Sequence, residues 1–349
     1  MSIAFSSIKV GPLILKNHFM RSATHEKMSS DEGYPSDKLL NLIKKLADGE
    51  VGLIVPGYFY PMKSGKANPK QNGILSQKHA DEWRETVKYC HNKGSKIVFQ
   101  ICHGGLNTGD PNVERVGPSP ADENSRALTV AEIEDIIEKF ADASKFAKNV
   151  GVDGVQLHSA HGYLFSQFMS PHVNHRTDKY GGSIENRSRI IQETVNAIKE
   201  KMNSDDFLVS IKMNGDDNVG EKGVTPELAS KFVNILNRID FFEISSSKFG
   251  PYGDAFNLEL AEYIKKRNPN KIIATVGGNR ELKDIENILA TGKSDLISIS
   301  RPFIRRPSLI KDFREGKLTR ADCVDCSQCL MNMKDNESGV KCHFPDLKK

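Results

Sequence analysis

The chain has 349 residues with 49 Lys+Arg against 45 Asp+Glu, a formal charge of +4, spread too evenly to form a nucleic-acid patch or an anchor for an anionic membrane. At 38% hydrophobic and 27% charged residues, the composition excludes disorder and low-complexity or collagen-like classes. No run of about 18 apolar residues occurs, and Met1-Ser-Ile-Ala-Phe5 lacks the basic start and apolar stretch of a signal peptide, so the expectation is a cytoplasmic protein without a membrane span.

Along the chain, short apolar runs rich in β-branched and aromatic residues begin near His18, Val51, Lys96, Val152, Phe207, Ile239, Lys271 and Ser294, each followed by helical periodicity. In the third helix Ile133, Ile136, Ile137, Phe140 and Ala147 line one face, and Thr129-Val-Ala-Glu132 before them is a capping-box pattern. The fifth helix opens with Thr225-Pro226, where the missing N–H of proline costs nothing. Strands such as Lys271-Ile-Ile-Ala-Thr-Val show little strict polar alternation, as expected of a parallel sheet covered by helices. Eight strand-helix units without a Pro/Gly-rich linker predict an α/β fold with one closed (β/α)8 TIM barrel over 1–318, and a cysteine-rich tail, 319–349, packed on it. Two long connections, Tyr58 to about Ser76 and His103 to Leu128, leave the carboxyl ends of strands, where barrel enzymes place their sites.

The densest chemical signal follows the fourth strand, in Val155-Gln-Leu-His158-Ser-Ala-His161-Gly-Tyr163. Two histidines leaving a strand together can hydrogen-bond one oxygen, and a phenol beside them can protonate a nearby carbon. Taken alone, a His-x-x-His pair also permits two satisfied loop histidines, or a metal site if a third ligand is present.

The stretch His158-Ser-Ala-His-Gly-Tyr-Leu-Phe-Ser-Gln-Phe-Met-Ser-Pro171, continuing to Tyr180-Gly-Gly-Ser-Ile-Glu-Asn-Arg187, resembles the most characteristic motif of the old yellow enzyme family of FMN-dependent NAD(P)H oxidoreductases. The likeness runs from about Ile8 to Phe313. It implies an ene-reductase in which His158 and His161 bind and polarise the acceptor and Tyr163 donates the proton. Leu15-Lys-Asn-His-Phe-Met-Arg-Ser-Ala-Thr-His25 resembles the family's first-strand motif, which makes Ala23, Thr24 and His25 contacts of FMN. His25 stands where the family usually has Thr or Cys, a position that tunes the flavin potential. By the same likeness Gly57 and Gln100 join the flavin site. Lys212 takes the place of an arginine beside flavin N1 and O2, where a cation stabilises the anionic reduced ring. Gly277 and Gly278 after the seventh strand, with Ser300 and Arg301 after the eighth, offer backbone amides and a guanidinium to the phosphate.

Cys323-Val-Asp-Cys326-Ser-Gln-Cys329 with Cys342 is a metal-binding type of cysteine run. It resembles the cluster segment of 2,4-dienoyl-CoA reductase and trimethylamine dehydrogenase. Zinc, an iron-sulfur cluster and no metal all stay open for it. The sequence therefore implies FMN as cofactor, NADH or NADPH as reductant, and a small-molecule enone or related electrophile as substrate. It leaves open a homo-oligomer and two alternatives: a dienoyl-CoA-type reductase with a separate electron donor, and a flavin-binding sensor or scaffold without turnover.

Overall fold

A computed structural model describes residues 2–247, 253–331 and 339–344. Eight parallel strands run in chain order: β1 (Phe19–Arg21), β2 (Leu53–Ile54), β3 (Lys96–Ile101), β4 (Gly154–Ser159), β5 (Leu208–Asn214), β6 (Phe241–Ser245), β7 (Ile272–Val276) and β8 (Leu296–Ile299). Each pairs with the next, and β8 pairs with β1, so the sheet closes on itself. This is the expected (β/α)8 barrel, and the eight strands start within two residues of the positions read from the sequence.

Alternate residues of a strand face opposite sides. The outward set, including Phe99, Val155, Leu157, Ile211, Phe242 and Ile244, packs under the helices with Ile133, Phe140 and Ile190 in the main core. Helix Val130–Asn149 starts at the Thr129/Glu132 capping box, and helix Pro226–Ile235 is capped by the Thr225 hydroxyl. The inward set changes character with height. At the amino ends of the strands Met20, Leu53, Val98, Leu208, Phe241, Ala274 and Leu296 form a separate apolar plug, closed from below by Val10, Leu13 and Leu15 of the hairpin Ile8–Val10/Leu13–Leu15. Two residues further up come Ser22, Gln100, Gln156, Ser210, Glu243 and Ser298, all buried and polar. His158, Lys212, Ser245 and Ser300 form the next layer, at the mouth. A sequence with both strand faces buried thus hides a graded interior, greasy below and polar above, which aims function at the carboxyl ends.

The segment beyond 318 is anchored to the barrel. Leu282 and Ala321 exchange backbone hydrogen bonds with Thr319 and Arg280, each 2.8 Å, and Val340 N donates to Glu26 O at 2.7 Å. Ala321, Cys329 and Val340 belong to the main core cluster. No helix among the described residues is long and apolar enough to cross a membrane.

Candidate active site

A cavity opens at the carboxyl ends of the strands, and its walls bring together Ala23, Thr24, His25, His158, His161, Tyr163, Lys212, Gly277, Gly278, Ser300 and Arg301. The barrel does this by geometry, since each residue sits at or just past the end of a different or neighbouring strand.

On the floor, Lys212 Nζ donates to Ser22 Oγ at 2.8 Å and stands 3.4 Å from Glu243 Oε1, with both charged side chains almost wholly buried. Glu243 accepts from Ser22 Oγ (2.6 Å), Ser298 Oγ (2.7 Å) and Gln156 Nε2 (3.1 Å). Such multiple donation is what lets a carboxylate stay in an interior. Gln156 Oε1 in turn accepts from Gln100 Nε2 at 2.7 Å. Gln100, expected as a flavin contact, is 1% exposed and is not among the residues lining the cavity. Gly57 is also absent from the lining. Its N–H meets both carboxylate oxygens of Glu26 at 3.0 Å, and a Cβ there would come within 2.0 Å of Glu26 Oε2, so this glycine serves the buried Arg21–Glu26 ion pair. Its neighbour Tyr58 is the residue that reaches the cavity.

One wall carries neutral donors. His158 and His161 have ring centroids 5.2 Å apart at 87°, and His158 lies 4.8 Å from the ring of Tyr163. Burial, with the charge of Lys212 nearby, pulls the pKa of His161 down to about 3 and that of His158 well below the ordinary value, so both rings are neutral at physiological pH. Nδ1 of His158 accepts from Ala160 N at 3.3 Å, which puts its ring proton on Nε2. His161 adopts a left-handed backbone, φ 59°, secured by Asn214 Oδ1 accepting from its N–H, and its Nε2 stands 2.9 Å from Ser245 Oγ. Burial pushes Tyr163 up to about 12, so it is protonated. Tyr58 Oη lies 3.0 Å from Tyr163 Oη, and Asn68 Nδ2 donates to both, at 2.8 and 3.3 Å. His25 is neutral as well, pulled to about 4 mainly by burial. Its Nδ1 is 3.2 Å from Tyr58 Oη, while Nε2 has no hydrogen-bond partner among the described residues.

At the opposite end Gly277 (φ 121°) and Gly278 (φ 74°) bend the chain after β7, and a Cβ on Gly278 would lie 2.4 Å from Gly253 O. Asn279 ties the ends of β7 and β8 by donating to Thr275 O and Ser298 O. Arg301 lines this end, but its Nη1 is engaged by Asp325 and by Ser327 Oγ, both from the tail. Arg280 adds a second guanidinium, held by Asp254 and Cys323 O. Cys323, Cys326, Cys329 and Cys342 line a small adjoining crevice. No group of three or more His, Cys, Asp or Glu among the described residues stands in a metal-holding arrangement.

Sequence reading missed Tyr58, Asn68, Gln156, Glu243, Arg280 and Asp325. A signal existed for Glu243, the one charged residue inside the apolar run Phe241-Phe-Glu-Ile244.

Residues 4–319 match the family described as NADH:flavin oxidoreductase / NADH oxidase. The chain is 32% identical to the NADPH dehydrogenase of Clostridium acetobutylicum over 316 residues, 88% of this chain and 93% of that protein. The chain belongs to this family. It is also 32% identical over 346 residues to the NADH oxidase of Thermoanaerobacter brockii, covering 93% of this chain but only 52% of that protein. Among solved structures, 2-naphthoyl-CoA reductase superposes with a TM-score of 0.87 at 26% identity, over 94% of this chain and 54% of that one. The chain thus spans about half the length of these two relatives.

FMN is the family's flavin and NADH or NADPH its reductant, and the cavity suits the flavin. A buried cation on the floor, and glycine amides with two guanidinium groups at one end, are the donors that an anionic, phosphate-bearing ring system needs.

Proposed function

We propose that the protein is an FMN-dependent NAD(P)H oxidoreductase of the ene-reductase type, acting on an activated alkene such as an α,β-unsaturated carbonyl. The observation that carries this reading is the convergence of three uncharged donors, His158, His161 and Tyr163, on one wall above the buried Lys212. FMN, when bound, supplies the hydride that it takes from the nicotinamide. Lys212 would offer positive charge to the reduced ring, and Ser22 and Glu243 fix its ammonium in place. Gly277, Gly278, Ser300, Arg280 and Arg301 would hold the phosphate end.

The histidines do the orienting. The Nε2 proton of His158 points outward from its Nδ1 contact with Ala160, and the Ser245 hydroxyl at 2.9 Å from Nε2 holds the ring of His161 beside it. Neutral imidazoles polarise a carbonyl without presenting a competing strong acid. Tyr163, protonated over the whole working range of pH, then delivers its proton to the α-carbon. Stopped-flow mixing tests the reading. NADH or NADPH should bleach the bound flavin, and cyclohexenone added without oxygen should restore its colour. A reduced flavin indifferent to enones would refute the proposal and support a scaffold or sensor.

The gathering of Cys323, Cys326, Cys329 and Cys342 around one cavity favours a second reading, a dienoyl-CoA-type reductase with an iron-sulfur cluster and a separate electron donor. Iron and sulfide analysis of anaerobically prepared protein decides it, and zero iron removes it.

A further inference from the structure

We propose that Tyr58 and Asn68 form an anion-stabilising site for the phenolate that Tyr163 becomes when it gives up its proton, an inference that rests on the ene-reductase reading. Tyr58 comes from the first residues of the long connection after β2, Asn68 from the same connection ten residues later, and Tyr163 from the segment after β4. The fold brings their polar atoms within 3.3 Å of one another.

Several features show that this is a built site. Asn68 is not free to swing, because Gln71 Oε1 accepts from the backbone N–H groups of both Ala67 (2.8 Å) and Asn68 (3.2 Å). Tyr58, Ala67 and Cys102 form an apolar cluster against which Tyr163 packs, so little water competes behind the two phenols. His25 Nδ1 holds Tyr58 Oη from the other side.

Proton bookkeeping sets the direction of the bonds. An amide Nδ2 can only donate, so both phenol oxygens accept from Asn68, and with the His25 proton on Nδ1, donated to Tyr58 Oη, one hydroxyl proton lies between the two phenol oxygens. Burial makes Tyr58 the weaker acid of the pair, raised well above the ordinary tyrosine value, whereas hydrogen bonds from Tyr58 and Asn68 pull Tyr163 down against its own burial. Tyr163 therefore ionises first, and Tyr58 keeps its proton and donates it as a hydrogen bond. The other titratable groups facing the phenol, Cys102 and His158, are both uncharged.

During turnover the O–H bond of Tyr163 breaks and the electron pair of the substrate enolate forms the new α-carbon C–H bond. The negative charge left on Tyr163 Oη is met by Tyr58 O–H and Asn68 N–H. Water at the cavity mouth then returns a proton and the hydroxide departs to solvent. Preorganised donors of this kind act where charge develops and need no rearrangement. Tyr58 and Asn68 are positioning residues, acting through Tyr163.

The test uses the FMN-loaded enzyme. Y58F and N68A should each slow reoxidation of the reduced flavin by cyclohexenone about a hundredfold, while in N68A, whose side chain does not line the cavity, reduction by NAD(P)H stays within about twofold. Carbon-13 labelling of the tyrosine ring should show the Tyr163 resonance starting to titrate at higher pH in Y58F than in the parent, a shift that mere structural damage would not give. Wild-type reoxidation in Y58F, alongside slow reoxidation in Y163F, would overturn the anion site and leave the ene-reductase reading standing. Fast reoxidation in Y163F itself would overturn both.

Discussion

The floor and the wall of the cavity are polar in different ways. On the floor, Lys212 and Glu243 are charged, almost wholly buried and matched to each other through Ser22, Ser298 and Gln156. Along the wall, His25, His158, His161 and Tyr163 are neutral, and at least one of their atoms, His25 Nε2, lacks a partner among the described residues. A charge inside a barrel must be satisfied by the fold before any ligand arrives, so the floor is a matter of stability as well as chemistry. A neutral donor can wait for its partner at much lower cost.

The largest effect expected from this contrast is on the floor. Glu243→Ala leaves the ammonium of Lys212 buried with only Ser22 as partner, and should cost about 3–5 kcal/mol of folding stability in urea titrations. Pairing it with Lys212→Met should recover much of that loss, because no orphaned charge then remains, and the double-mutant cycle measures the coupling directly. A loss below about 1 kcal/mol for the single variant would mean that Lys212 is balanced by solvent, and the contrast between floor and wall would collapse.

The neutral wall makes its own demand, at low pH. A histidine held neutral in the fold but ordinary in the unfolded chain contributes nothing above about pH 6.5, where neither state is protonated. As pH falls below that, the unfolded chain takes up a proton that the fold refuses, and stability is lost until the pH reaches the depressed value. His103 isolates the effect, since it sits behind the wall, does not line the cavity, and is pulled to about 4 by burial. Its Nδ1 accepts from Gly105 N at 3.1 Å, a bond that an asparagine oxygen could keep. His103→Asn should lose about 2 kcal/mol less than the parent between pH 7 and pH 5. Equal acid sensitivity in the two proteins would show that His103 is protonated in the fold.

The contrast also explains what could be foreseen. The eight strand-helix units, the Thr129/Glu132 capping box and the pair His158/His161 with Tyr163 were legible because strand ends and helix starts carry local signatures. Gln100 and Gly57 are placed near the flavin by likeness; in the barrel neither is among the cavity's lining residues, while Tyr58 after Gly57 is. A motif fixes a position along the strand but leaves the depth to the tilt and stagger of the closed sheet. Tyr58 and Asn68 could not be foreseen at all, because their role depends on where a long connection folds back. Glu243 was visible as a charge in an apolar run, but only the closed barrel supplies Lys212 as its reason.

The smallest effect concerns the end of the cavity where neither description holds cleanly. Arg301 was expected to serve a phosphate, and the tail presents Asp325 to it instead, 6% exposed and with one carboxylate oxygen lacking a partner among the described residues. A carboxylate beside a phosphate site repels the dianion and shares its guanidinium. Asp325→Asn removes the charge while Ser327 still holds Arg301 Nη1 at 2.7 Å. FMN should then bind the apoprotein a fewfold more tightly in fluorescence titrations, and added salt should leave most of the gain, because a buried charge is screened much less than an exposed one. Weaker binding at every salt concentration would reverse the sign of the argument. Asp325 would then be the residue that aims Arg301 at the phosphate, and this end of the cavity would join the floor as a charged pair built by the fold.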